Sequence, residues 1–284
     1  MGSPQFALMT YSFRDTVARG KLDLLGILDW CAERGFAAVD PWGPHIAGFG
    51  DVAAEAFDCK GEMDIDLDAT DLAALDGLKA KAADVGLPLV SLAADQATHI
   101  WADEPWRRDV QRRLAKRWID AGQHLGVRQM RFDPGYKESP DVPAPVMTVL
   151  LEGYRDLVAY AGERGIEILI ENHWGAAAYP KTVEHILDRV DGLGLLFDTF
   201  NFAFLHQADG WLRLSPRARS THIKCARWAD DGEELTQHIG HAVRLLQDHG
   251  YDGYWGIEAM SEDASVGDAG CVERTMALVE KWHR

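Results

Sequence analysis

The sequence predicts an α/β protein of one domain, a closed (β/α)8 TIM barrel spanning residues 1–284. Three observations predict it. Short apolar runs alternate eight times with amphipathic segments. A glycine recurs between the end of a helical pattern and the start of the next apolar run, at Gly35, Gly86, Gly126, Gly165 and Gly250. And 284 residues suit one barrel of about 250 residues better than two independent domains.

The strand candidates, in order, are Phe6–Phe13, Ala37–Pro41, Pro88–Ala93, Gln129–Asp133, Glu167–Asn172, Gly194–Asp198, Thr221–Lys224 and Tyr254–Glu258. Helical patterns lie between them, at Leu22–Arg34, Asp71–Val85, Trp106–Leu125, Met147–Arg164, Val183–Val190, Thr236–His249 and Cys271–Trp282. The sixth unit, Phe202–Arg219, contains Gly210 and Pro216 and reads as a short helix plus a loop. A long βα loop covers about 43–70 and is rich in acidic residues. An open dinucleotide-binding sheet would need a glycine-rich first turn. The first turn here reads Ser12-Phe13-Arg14-Asp15.

Composition narrows the function. The formal net charge is −16, which repels phosphate backbones and anionic membranes, so no nucleic-acid partner is expected. The densest basic stretch, Arg107 to Arg117, falls on a helical pattern and reads as a solvated face. Cys31, Cys59, Cys225 and Cys271 lack zinc-knuckle spacing. No run approaches the roughly 20 apolar residues of a membrane span. Met1–Pro4 leads straight into a strand-like run with no signal-peptide pattern, so a cytoplasmic protein is expected.

Four strand candidates end in a side chain that binds metals. They are Glu171, Asp198, His222 and Glu258, separated by 27, 24 and 36 residues. Each gap is near one βα unit, so the four converge on the C-terminal rim, where barrel enzymes keep their active sites. One acidic residue at a strand end is more often a helix cap than a ligand. Three carboxylates in one apolar mouth are costly unless a cation neutralises them. Three oxygens and one nitrogen suit one divalent ion, with Mn²⁺ the first choice and Mg²⁺, Co²⁺, Fe²⁺ or Zn²⁺ compatible.

These four residues resemble the metal-ligand pattern of the xylose-isomerase-like barrel superfamily, and of its sugar phosphate isomerase/epimerase group. The strings Glu171-Asn172-His173, His222-Ile223-Lys224 and Gly250 to Glu258 are similar as well. The resemblance covers nearly the whole chain. It implies a metal-dependent isomerase or epimerase that removes a proton α to a carbonyl of a small keto sugar or polyol. It also implies that Glu171 and Glu258 serve both as ligands and as the acid/base pair. A dehydratase or other lyase acting on a keto-cyclitol or 3-keto-glycoside is the alternative. An endonuclease IV-like repair enzyme or a hetero-oligomer subunit ranks below both, and a homo-oligomer is compatible with the sequence.

Further site candidates follow from position. His173 stands two residues after Glu171, and Lys224 two after His222, so each points the same way as its ligand. Arg227 lies just beyond. Asn201 follows Asp198 by three, where many relatives carry His, and is a departure from the pattern. His99 and Asp133 end strands three and four. Trp42, Trp101, Trp174 and Trp228 follow strand candidates and could stack on a sugar face. Trp30, Trp118 and Trp282 fall in helices and read as core.

Overall fold

In the computed structural model, residues 2–46, 66–95, 100–260, 262 and 265–284 are described. Two parallel sheets form the centre. One has the order β2-β1-β7, with β1 Phe6–Met9, β2 Ala38–Asp40 and β7 Trp255–Ile257. The other has the order β3-β4-β5-β6, with β3 Gln129–Arg131, β4 Glu167–Glu171, β5 Gly194–Asp198 and β6 Ala218–His222. β1, β4, β5 and β7 are mostly apolar and buried, as expected of strands covered on both faces, while β3 and β6 carry polar residues such as Arg131 and Thr221.

Helices separate the strands: α1 Arg14–Ala18, α2 Leu24–Glu33, α3 Ala69–Asp84, α4 Pro105–Leu125, α5 Ala144–Gly162, α6 Pro180–Leu187, α7 Gln207–Leu214, α8 Ile239–Asp248 and α9 Gly267–Trp282. Asp23 caps α2 by accepting from Gly26 N at 2.8 Å, and Asp68 with Asp71 forms a capping box on α3. All five punctuating glycines have φ between 72° and 81°, the left-handed value that ends a helix and frees the chain to enter a strand. The sixth unit is short, as expected: α7 runs for eight residues between single turns at Phe204–His206 and Ser215–Arg217.

The structure corrects three expectations. The first apolar run is a strand only to Met9; Thr10–Phe13 is a 3-10 turn leading into α1. Segment 88–94 is not a regular strand, because it meets its neighbours through single bridges. Pro88 O accepts from Val39 N and Val90 N donates to Val39 O, each at 3.0 Å, and on the other side Leu92 N donates to Gln129 O at 3.2 Å. The basic stretch is not wholly a solvated face either, since Arg117 is buried and pairs with Asp71 at 2.6 Å. The two sheets also meet at β6 and β7, where Ile223 N donates to Gly256 O at 2.7 Å and Glu258 N donates to Ile223 O at 3.2 Å.

The core lies between strands and helices. Trp118, Tyr154, Phe132 and Phe197 are its largest buried side chains, while Trp30 and Trp282 pack on it half-buried. Cys31, Cys225 and Cys271 are free and buried. Cys59, His99 and most of the 43–70 loop lie outside the described residues. Among the described residues, no helix is long and apolar enough to cross a membrane.

Candidate metal centre

Each ligand candidate sits where an apolar strand ends or has just ended. Glu171 closes β4, Asp198 closes β5 and His222 closes β6; Glu258 follows β7 directly. Parallel pairing sets Asp198 opposite His222 in register. The side chain of Asn172 fastens β4 to β5: its Nδ2 donates to Asp198 O at 2.8 Å and its Oδ1 accepts from Asp198 N at 2.9 Å. Gly256 lets β7 approach β6, since a Cβ there would stand 2.0 Å from Thr221 O and 3.2 Å from His222 Cδ2.

The four side chains converge. One ligand atom from each of Glu171, Asp198, His222 and Glu258 lies within 4.8 Å of all the others, and all four residues are buried. Two of the donors are held ready by their other atom. Asp198 Oδ1 accepts from Phe200 N at 2.6 Å and Asn201 N at 2.8 Å, leaving Oδ2 buried without a hydrogen-bond partner. His222 Nε2 faces Asp40 Oδ2 at 3.2 Å, which turns Nδ1 toward Glu258 Oε2 at 2.9 Å and Glu171 Oε1 at 3.5 Å. That Nδ1 has these two carboxylates as ion-pair partners but no well-aligned hydrogen bond to either. A buried polar atom without a hydrogen bond asks for an explanation, and here two converge on one point. A divalent cation fits this donor set and satisfies both atoms. A carboxylate behind a ligating histidine is the usual device for fixing its tautomer.

Cations of the chain itself surround the cluster. Lys224 Nζ lies 2.7 Å from Glu258 Oε1 and 3.7 Å from Asp198 Oδ2, and donates to Asn201 Oδ1 at 3.1 Å. Asn201 Nδ2 in turn donates to Glu171 Oε1 at 3.1 Å. Arg131 Nη1 lies 2.8 Å from Glu171 Oε2 and 2.7 Å from Asp133 Oδ2; its Nη2 is 2.5 Å from Asp95 Oδ1. His173 Nδ1 is 2.9 Å from Asp133 Oδ2.

These pairings set the ionisation. Burial pushes Glu171 up, but Arg131, His173 and His222 outweigh it and bring the carboxyl down to about 2. Burial likewise opposes ionisation of Glu258, and Lys224 and His222 hold it well below the usual range. Asp198 is raised to about 6, by burial first and by Glu171 and Glu258 against the pull of Lys224. Burial lowers His173, yet Asp133 and Glu171 raise it to about 9. Burial lowers His222 too, and Asp40, Glu171 and Glu258 carry it well above its ordinary value. Both predicted acid/base carboxylates are thus held ionised beside protonated partners.

The sequence-predicted residues divide clearly. Glu171, Asp198, His222, Glu258, His173, Lys224 and Asn201 come together. Arg227 does not: its Nε pairs with Glu262 Oε2 at 3.3 Å, and both side chains are exposed. It stands three residues past Lys224, after the chain has left the barrel rim. Trp174 is 45 % exposed beside His173. Trp42 donates from Nε1 to Asp95 Oδ2 at 2.6 Å, which holds it on the network around Arg131. Trp101 packs on Tyr136, and Trp228 bridges to Glu234. Asp40, Asp95 and Arg131 were not foreseen. Asp40 carried the same signal as the ligands, an acid ending an apolar strand, and Arg131 interrupts the apolar pair Met130 and Phe132.

Residues 28–279 match the family model described as xylose isomerase-like TIM barrel. The chain belongs to that family. No curated protein sequence matches it significantly. Among solved structures, it is similar to the IOLI protein with a binding zinc atom (TM-score 0.74, 13 % identity, 99 % of each chain covered). It is also similar to a sugar phosphate isomerase/epimerase from Parabacteroides distasonis (TM-score 0.68, 17 % identity, 99 % of this chain and 94 % of that one). A third is the probable 3-DHS dehydratase AsbF of petrobactin synthesis from Bacillus anthracis (TM-score 0.67, 15 % identity, 96 % and 98 %). At such identities the likeness speaks to the fold alone.

Proposed function

We propose that this chain is a divalent-metal-dependent isomerase or epimerase that removes a proton α to the carbonyl of a small keto sugar or polyol. The observation that carries the reading is the buried meeting of Glu171, Asp198, His222 and Glu258, with Asp198 Oδ2 and His222 Nδ1 left without hydrogen-bond partners. The reading takes the chain as a closed (β/α)8 ring. Support comes from the bridges of segment 88–94 to β2 and β3 and from the hydrogen bonds that tie Ile223 to β7.

Glu171, Asp198, His222 and Glu258 would hold one ion, Mn²⁺ first, with Mg²⁺, Co²⁺, Fe²⁺ or Zn²⁺ able to use the same donors. When bound, it polarises a carbonyl and an adjacent hydroxyl and so favours loss of the α-proton. The remaining work belongs to side chains. Glu171 and Glu258 are the acid/base pair, each held ionised at neutral pH and so in the form that can accept a proton, though Arg131 and Lys224 weaken them as bases. Lys224, Asn201 and His173 supply donors for substrate oxygens, and Trp42 and Trp174 offer apolar faces at the rim. The substrate is a small molecule met in the cytoplasm, not a nucleic acid or a membrane.

A dehydratase acting on a keto-cyclitol or 3-keto-glycoside is the second reading. His173 favours it. It is braced by Asp133 at 2.9 Å, and its side chain is 21 % exposed, so it can hand a proton to a departing hydroxyl.

The test pairs elemental analysis of the wild type and Glu258→Gln with NMR of solvent deuterium exchange on a panel of keto sugars and inososes. One Mn, Mg, Co, Fe or Zn per chain, weakened in the variant, with deuterium entering α to a carbonyl, is the expected result. Loss of water from the substrate would select the dehydratase. No metal, and none taken up on reconstitution, would end the proposal.

A further inference from the structure

The mouth contains a second constellation with metal-binding chemistry. Asp133, Glu171 and His173 each place one ligand atom within 4.8 Å of the others, and Glu171 belongs to both groups. Two adjacent ion sites sharing a carboxylate are the arrangement of a two-metal centre. Asp133 Oδ1 is buried and has no hydrogen-bond partner, so the constellation has unused donor capacity.

A guanidinium already stands there. Arg131 Nη1 is 2.7 Å from Asp133 Oδ2 and 2.8 Å from Glu171 Oε2, while Nη2 reaches Asp95 Oδ1 at 2.5 Å. The Glu171 contact is an ion pair off the hydrogen-bond axis, since Oε2 accepts no hydrogen bond. The Arg131 side chain is 3 % exposed. Its position is braced from outside, because Trp42 Nε1 holds the other oxygen of Asp95 at 2.6 Å.

We infer that Arg131 is a built-in cation that takes the place of a second metal ion, so that the mouth holds one exchangeable metal. The inference rests on the four-ligand cluster being a metal site. Its physical basis is charge and space. A second ion between Asp133 and Glu171 would have to enter where Nη1 already touches one oxygen of each, Asp133 Oδ2 and Glu171 Oε2. It would also stand beside a positive charge that cannot leave, because guanidinium stays protonated in proteins. Binding Arg131 through Oε2 leaves Glu171 Oε1, on the His222 and Asn201 side, for the four-ligand cluster.

The test is metal stoichiometry, which does not depend on turnover. Wild type, Arg131→Gln and Arg131→Lys are titrated with Mn²⁺ to millimolar excess, with elemental analysis and Mn²⁺ EPR. Wild type and Arg131→Lys should saturate at one uncoupled Mn²⁺ per chain. Arg131→Gln should take two, with the exchange-coupled spectrum of ions sharing Glu171. Two coupled ions in the wild type, or a single ion in a folded Arg131→Gln, would overturn the inference and leave the four-ligand site standing. No ion in the wild type would overturn the metal reading and this inference with it. Should Arg131→Gln fail to fold by circular dichroism, Arg131→Met is titrated in its place, with two coupled ions expected and a single ion overturning the inference.

Discussion

Asp40 is the residue whose removal most directly probes how the proposed metal site is built. Its Oδ2 is 3.2 Å from His222 Nε2, and both side chains are buried. The carboxylate keeps the proton on Nε2, aims the ring, and makes Nδ1 a better donor. Asp40→Ala should therefore lower metal affinity without touching a ligand. Loss of such a support costs roughly 10- to 100-fold, or about 1.4–2.8 kcal/mol at 1.4 kcal/mol per decade. Asp40→Asn keeps an acceptor oxygen and should lose less. The assay is competition for Mn²⁺ between the protein and a chelator, with circular dichroism confirming the fold. The same experiment at several pH values should show affinity falling as pH drops. Asp40, Glu171 and Glu258 raise the proton affinity of His222 against its burial, so metal must displace a bound proton. A folded Asp40→Ala protein with wild-type affinity would refute this account of His222.

Two further outcomes follow from the same geometry. In chelator-treated protein, His173 is raised from 6.5 to about 9, so its contribution to stability is complete below about 6.5 and is lost as pH rises through about 9. Urea midpoints should fall across that window, and His173→Asn should flatten the fall; a wild-type profile level from pH 6.5 to 9 would contradict the Asp133 pairing. Gly256→Ala should destabilise the fold by about 3 kcal/mol or more, because its Cβ would sit 2.0 Å from Thr221 O and β6 and β7 must part. Weaker Mn²⁺ binding should accompany the loss through His222, and a wild-type melting temperature would show that the strands yield more easily than their packing implies.

The fold was legible because its signals are local. An apolar run buried on both faces needs no partner to be recognised, and a glycine that must take positive φ after a helix announces the turn that follows. That reasoning located β4, β5 and β7 closely; it put the seventh strand at Thr221–Lys224 where β6 is Ala218–His222, an overlap of two residues that still includes His222. It was weaker for segment 88–94, where Pro88 and single bridges replace a regular ladder, and at Thr10–Phe13, where an apolar run turns into a 3-10 helix. Strand extent depends on what the neighbours offer, and the run of residues does not record it.

The site divides along the same line. The four residues that meet in the cluster were named from the sequence, because a carboxylate directly after a buried strand is costly unless something positive answers it. Their second partners came only from the tertiary structure. Nothing about Asp40 in sequence says that it meets His222, 182 residues away. Nothing about Arg131 says that its guanidinium gathers Asp95, Asp133 and Glu171 from three separate segments. Arg227, placed by sequence just beyond Lys224, turned to the surface because the chain leaves the rim between them. Sequence thus determined the four side chains of the cluster and their neighbours His173, Lys224 and Asn201, but not Asp40, Asp95 or Arg131. Packing decided which charges face one another, because contact between distant strands is set by closure of the sheets and not by any spacing along the chain.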